Sequence, residues 1–423
     1  MNRCIAIISC CLVGALSLAH AQYGRCKMSD TPIGFCTLDS GTTGGAGGRT
    51  VRVTSYDSLK ALMDSNEKLV IEVSGTFDLG GSMTALRSDK TLIGLGDNAK
   101  IINGGLELYK RNNIIIRNIN FINAPDDLLK VNQNTTHLWV DHCTFTDGDV
   151  PDPEAANHDG LFDITRQSNY ITVSYCLFLN HSKTMLIGHS DGYPQDSGYL
   201  KTTLHHNWFN GTRQRHPRVR FGEVHCFNNY YQDNELYGVA STCEADVVVE
   251  GNYFQNVAFP TYVGYAESPV GDLVERDNVY VNSGAPETRG PAFDPKTYYS
   301  YTLDPAADVP AIVRANAGAG SSLTPIAMNA SRSSSKLSIF RCSADPHASA
   351  WRMEFTFKEN GRATFCIIDA LGKERGVLFN GQAEKGKMYS VTIAASRLHN
   401  GIVYGILRLG TNETDVRAIP VVR

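Results

Sequence analysis

Two stretches decide how this chain folds: Val224-His225-Cys226-Phe227-Asn228-Asn229-Tyr230-Tyr231 and, 23 residues on, Val247-Val248-Val249-Glu250-Gly251-Asn252-Tyr253-Phe254. Each is a short run suited to a strand, then a polar corner, an asparagine, and an aromatic two residues further. Degenerate copies of the unit end at Phe121, Phe145, Phe178, Phe209, Tyr231, Phe254 and Tyr280, in steps of 24, 33, 31, 22, 23 and 26 residues. A period in the low twenties marks one supersecondary unit stacked on itself, and no unit buries its apolar face alone. Side chains alternate along a strand, so the residue two before each aromatic faces the same way. Those residues are Ile119, Cys143, Cys176, Asn207, Asn229, Asn252 and Asn278. Stacked asparagines bond turn backbone that is otherwise buried and unpaired. Two-residue hairpin turns are scarce, so parallel coils fit better than a meander. The expected fold is all-β: a single-stranded parallel β-helix.

Working outward, residues 55–65 have a helical period, with Tyr56, Leu59, Leu62 and Met63 on one face and Ser55 as N-cap. This helix is expected to cap the N-terminal end of the stack, where open strand edges invite pairing with other chains. The two long steps mark insertions at about 147–168 and 182–199, and loops on a rigid scaffold concentrate function. Residues 315–335 read as a Gly/Ala/Ser-rich linker. Beyond it, 336–423 alternates as strands with turn signals at Glu359-Asn360-Gly361 and Leu371-Gly372-Lys373, which suggests a small β-sandwich. At the other end, Arg3, the apolar run Ile5 to Leu18 and Ala19-His20-Ala21 read as a signal peptide of residues 1–21, so the protein is expected to be secreted. The domain is then 22–314.

The 423 residues are 42% hydrophobic and 19% charged, enough for a sizeable core. A net charge of −4 supplies no basic field for nucleic acid. After the signal peptide no segment is apolar enough to span a membrane. Eight cysteines follow it, an even number in an exported chain. Cys26 with Cys36, and Cys342 with Cys366, are candidate disulfides. No Cys/His cluster suggests zinc, no Gly-x-Ser-x-Gly elbow a serine hydrolase, and Gly41 to Gly48 lacks the Lys-Ser/Thr of a P-loop.

Three acids stand out: Asp141 in Trp139-Val140-Asp141-His142, and Asp159 and Asp163 in His158-Asp159-Gly160-Leu161-Phe162-Asp163-Ile164. Asp141 lies one coil before the other two, so the three are expected to converge on one side of the stack. Oxygen ligands without sulfur suit a hard cation, and Ca²⁺ tolerates irregular geometry better than Mg²⁺. On spacing alone, solvated turn acids are an equally open reading. A cationic group follows: Lys183 in His181-Ser182-Lys183-Thr184, then Arg213-Gln214-Arg215-His216-Pro217-Arg218-Val219-Arg220-Phe221. Arg218 and Arg220 share a strand face, and guanidinium forks suit carboxylates. Either a polyanionic ligand or ordinary salt bridges account for them. His142, His189, His205 and His206 read as structural histidines.

Together these residues resemble the polysaccharide lyase family 1 pectate lyases over about residues 32–310. The resemblance rests on Trp139-Val140-Asp141-His142, Asp159 to Ile164, Tyr170-Ile171-Thr172-Val173-Ser174-Tyr175, Lys183 with Leu186 to Asp191, and Arg215 to Gly222, five motifs in order. It implies a right-handed parallel β-helix and Ca²⁺ held by Asp141, Asp159 and Asp163 with help from substrate carboxylates. It also implies Arg215 as catalytic base, Lys183 and Arg220 as substrate-binding residues, and Arg218 in support. The implied reaction is β-elimination on pectate, α-1,4-linked polygalacturonate, to 4,5-unsaturated products. A family lysine two residues after the last calcium aspartate falls at Thr165 here, with Arg166 adjacent. Relatives acting on methylated pectin without calcium typically lack the intact acidic set. A non-catalytic β-helix binding acidic polysaccharide is disfavoured by the complete Asp/Lys/Arg set, and a hydrolase needs an acid/base carboxylate pair. The module at 336–423 resembles a type IX secretion sorting domain through Phe365 to Lys373, Asn380-Gly381 and Leu398 to Tyr404, which implies contact with secretion machinery; a small carbohydrate-binding or spacer β-sandwich is the other reading. The protein is expected to be a monomer.

Overall fold

The computed structural model describes residues 31–96, 98–147, 159–320, 337–345, 350–357, 360–368, 374–394, 401–409 and 413–421. Residues 31–320 form a parallel β-solenoid whose first face has ten strands, from Arg49–Val53 to Asp272–Arg276. A second sheet bends around the strand Lys100–Tyr109 and supplies two further faces. The second face runs from Asn120–Ile122 to Val279–Val281. The third runs through Leu129–Asn132, Phe162–Ile164, Leu186–Ile187, Arg218–Arg220, Tyr237–Thr242 and Phe259–Val263.

The repeat works as its spacing implies. The aromatics stack along the second face: Phe121 on Phe145 at 5.1 Å, Phe145 on Phe178 at 5.1 Å, then Phe209, Tyr231, Phe254 and Tyr280 at 4.4–5.3 Å. Asn207, Asn229, Asn252 and Asn278 form the expected ladder. The Asn229 side-chain oxygen accepts from the Asn207 backbone N–H at 3.0 Å, and its amide donates to the Leu204 carbonyl at 2.9 Å. Each corner before a ladder residue is left-handed: Asn118, His142, Tyr175, His206, Asn228 and Asp277 have φ of 49–57°. That costs a non-glycine residue about 1–2 kcal/mol. The ladder satisfies the corner backbone that such a turn leaves unpaired, so sequence pattern and turn geometry enforce each other.

The helix forms at Tyr56–Met63 with Leu59 and Met63 fully buried against the first coils. Ser55 is at the N-cap, but its hydroxyl bonds the Ser58 hydroxyl at 2.9 Å instead of capping the backbone. The expectation of a Cys26–Cys36 disulfide is not met: Cys36, like Cys143, Cys176, Cys226 and Cys243, is a buried free thiol. Cys143 and Cys176 instead continue the ladder, the Cys143 N–H donating to the Cys176 sulfur at 3.4 Å. Cys26 and the side chains of Cys342 and Cys366 lie outside the described residues, as does the signal peptide.

The linker begins later than its composition suggests. Helix Val309–Asn316 packs Val309 and Val313 on Tyr230, and the chain then runs back along the stack. Gly318 N–H donates to the Tyr175 carbonyl at 2.8 Å, Ala319 N–H to Thr144 Oγ1 at 2.9 Å and Gly320 N–H to Asn118 Oδ1 at 2.8 Å. Residues 315–320 therefore belong to the solenoid. The C-terminal strands form antiparallel sheets of three and four, joined by ring contacts of Phe379 with Phe355 and Tyr389. Among the described residues no helix is long and apolar enough to cross a membrane.

Candidate active site

On the third face, Leu129-Lys130-Val131 pairs in register with Phe162-Asp163-Ile164, and Ile164 with Ile187. Leu129, Val131, Phe162 and Ile164 point inward and are fully buried, which turns Lys130 and Asp163 outward. The same register sets Asp126 and Asp127 beside Asp159. Carboxylate oxygens of Asp126, Asp127 and Asp159 lie within 4.8 Å of one another.

These acids crowd without enough compensation. Asp127 is 1% exposed, and burial, reinforced by Asp163, pushes its carboxyl well above the usual range. Burial raises Asp163 to about 6, against the nearby Arg215 charge and a 2.9 Å hydrogen bond from the Leu186 N–H. Lys130 contacts Asp126 and lies 3.5 Å from Asp127. Gly160 holds the group together: its N–H donates to Asp127 at 2.9 Å. A Cβ there would meet Asp127 Oδ1 at 2.8 Å and Asp163 Oδ1 at 2.9 Å. An all-oxygen cluster of three converging carboxylates, one of them buried, is the donor set a hard divalent cation takes, so these residues fit Ca²⁺.

The cations adjoin the acids. Lys183 reaches Asp159 at 3.3 Å. Arg215 sits at a left-handed turn, φ 66°, with its Nε buried and lacking a hydrogen-bond partner. A buried donor without a partner calls for an explanation. Burial, with Arg220 and Arg215 close by, pulls the Arg218 guanidinium below its ordinary value. Arg220 pairs with Asp191 at 2.5 Å, on the second insertion. The close pass of Gly188 against Arg220 demands glycine, since a Cβ would lie 2.7 Å from the Arg220 carbonyl oxygen. Arg166 turns to His189, 3.1 Å from its ring nitrogen, so it does not replace the absent lysine among the acids; Lys130 stands there instead.

One expected ligand is misplaced. Asp141 ends the first-face strand Thr136–Asp141 and is buried in a closed set of partners. Arg117 bonds it through Nε at 3.0 Å and Nη2 at 2.9 Å, Ser174 donates at 2.6 Å, and His142 lies at 2.7 Å. Being one coil earlier is not enough, because a coil has three faces and Asp141 is on another one. Asp126 and Asp127, not Asp141, lie beside Asp159. Their signal was in the sequence: aligning Leu129-Lys130-Val131 on Phe162-Asp163-Ile164 puts Asp126 over Asp159.

A parallel solenoid bearing an acid cluster beside an arginine row is the framework of a polysaccharide lyase. The family model described as pectate lyase matches residues 4–322, and the chain belongs to that family. A pectate trisaccharide-lyase of Thermotoga sp. (strain RQ2) is 40% identical over 349 residues, covering 70% of this chain and 91% of the relative. Another from Bacillus licheniformis is 35% identical over 301 residues, covering 68% and 86%. Among solved structures, a pectate lyase from Bacillus sp. N165 in complex with trigalacturonate superposes with a TM-score of 0.62 at 30% identity, covering 69% of this chain and 99% of that one.

Proposed function

We propose that the protein is a secreted, calcium-dependent lyase that cleaves α-1,4-linked polygalacturonate by β-elimination, yielding 4,5-unsaturated oligogalacturonides. The observation that carries this reading is the juxtaposition on one face of Asp126, Asp127, Asp159 and Asp163 with Lys183, Arg215, Arg218 and Arg220. Asp126, Asp127 and Asp159 would hold Ca²⁺, with Asp163 beside them. Bound there, Ca²⁺ supplies Lewis-acid polarisation of a substrate carboxylate.

The C5 proton of galacturonate is weakly acidic, and its loss builds charge on the adjacent carboxylate. Lys183 and Arg220 bind carboxylates and fix the ring, and Arg218 adds positive field where charge develops. Arg215 takes the C5 proton, the C4=C5 double bond forms as the C4–oxygen bond breaks, and the departing oxygen takes a proton from solvent water. Arg218 and Arg220 stand close by, on the strand that follows Arg215. The C-terminal sheets are read as the module that engages secretion machinery, on a monomer. The assay is polygalacturonate with calcium, following the ultraviolet absorbance of the unsaturated product. Calcium-dependent absorbance growth supports the reading; full-rate cleavage in excess EDTA removes the metal from it.

A further inference from the structure

Beyond the cations the third face changes chemistry. In register, Arg218 pairs with Ala240 and Ala240 with Tyr262; three residues earlier on the same strands Tyr237 pairs with Phe259. Tyr262 is thus two strands past Arg218, about 10 Å, or roughly two sugar rings along an extended chain. Its ring belongs to a contacting cluster: Tyr237–Tyr265 at 4.8 Å, Phe259–Tyr262 at 5.2 Å and Tyr262–Tyr265 at 6.0 Å. The Arg218 guanidinium lies 5.2 Å over the Tyr265 ring, so the last cation and the first aromatic are continuous. Phe259, despite being large and apolar, is 42% exposed.

The backbone beside these rings carries an acidic group. The Glu287 carboxylate accepts from the Val263 N–H at 2.9 Å, and Arg289 is already engaged by Asp272 at 2.5 Å. A free uronate on Phe259 and Tyr262 would face the Glu287 carboxylate, while the Arg218 guanidinium is committed to the Tyr265 ring and Ser268. An uncharged pyranose would lay its C–H face on exposed aromatic surface, a favourable burial for both.

We propose that Phe259, Tyr262 and Tyr265 form a stacking subsite at the end of the cleft for an uncharged pyranose, namely a methyl-esterified galacturonate of the same polysaccharide. This rests on the lyase reading above and deepens it. Free carboxylates are required at the acids and arginines, and an ester is preferred about two units further on. The enzyme would therefore work best where blocks of free galacturonate meet esterified ones.

The test compares kcat/KM on polygalacturonate and on long, partly methyl-esterified pectin. The proteins are the full-length wild type, Tyr262→Ala, Phe259→Ala and Tyr262→Phe. The expected result is that each alanine variant loses about three- to tenfold more on the esterified chain than on polygalacturonate, chiefly through KM. Tyr262→Phe should restore the wild-type ratio, because the ring and not the hydroxyl makes the surface. Equal losses on both substrates, no loss on either, or failure of the phenylalanine to restore the ratio overturns the subsite. Phe259→Ala gives the reading if Tyr262→Ala fails to fold. A wild type that cleaves neither substrate overturns the lyase reading itself, a separable outcome.

Discussion

Asp141 and Asp163 are both largely hidden aspartates of short strands, one on the first face and one on the third. Asp141 has Arg117, Ser174 and His142 within hydrogen-bond reach. Asp163 has a backbone N–H, a nearby arginine and acidic neighbours, and burial raises it to about 6. Glu250 repeats the first-face pattern. Burial opposes its charge, but hydrogen bonds with His225, Arg276 and Tyr301 outweigh that and hold it at about 2. Acids on one face are saturated and act as struts. On the other, Asp127 and Asp163 are raised by burial and lie on the face that also carries Lys183, Arg218 and Arg220. A carboxylate's role is set by what already satisfies it.

The sharpest consequence lies at Arg215. Replacing it with lysine should lower kcat by about 10²–10⁴-fold while KM and calcium affinity change little, since a base acts in the transition state. Lys183→Ala measured alongside should instead raise KM. If Arg215→Lys affects KM alone, Arg215 is a binding residue, and the base must be sought elsewhere in the cleft, first at Lys183.

The faces can next be crossed. Asp141→Asn leaves Arg117 buried with a weakened partner and should cost about 3–5 kcal/mol in unfolding free energy while leaving calcium affinity near wild type. Asp163→Asn should lower activity and calcium affinity without comparable destabilisation, because it relieves crowded charge. Denaturant unfolding and calcium titration of both variants would show the crossing, and like behaviour of the two would erase the distinction between the faces.

Glu250 gives a subtler reading through pH. Its folded value of about 2 lies below the ordinary 4.5, so its stabilisation is present above 4.5 and is lost as pH falls toward 2. Glu250→Gln should be less stable than wild type at pH 7, with the gap closing below pH 4.5. A gap independent of pH would mean the glutamate contributes packing alone. The smallest effect is expected from the C-terminal module. A fragment of residues 22–335 should remain folded and turn over pectate, because the described contacts of the solenoid extend to Gly320 and are internal. Loss of soluble protein would show that the module completes the core.

The fold was legible because its governing residues recur: each Asn or Cys ladder position and each stacked aromatic repeats one instruction, and a repeated weak signal becomes strong. The cations, Asp159 and Asp163 were legible through motif order. Asp141 misled because sequence spacing gives the coil number and not the face. Asp126 and Asp127 were overlooked because two adjacent acids before Leu128-Leu129 read as a turn until the third-face strands are aligned. Residues 315–320 have linker composition, yet their backbone N–H groups find solenoid acceptors, a pairing no local pattern records. The aromatic end of the cleft was hidden for the same reason, since Phe259 and Tyr262 meet the arginine rows only through strand register.

Calcium binding measured calorimetrically on the metal-stripped full-length protein tests the central claim most directly, using wild type, Asp127→Asn and Asp141→Asn. The account predicts that Asp127→Asn weakens binding by at least about tenfold and that Asp141→Asn, once shown to be folded, binds like wild type. Unchanged binding in Asp127→Asn, or its loss in a folded Asp141→Asn, would place the metal on the wrong face and contradict the account.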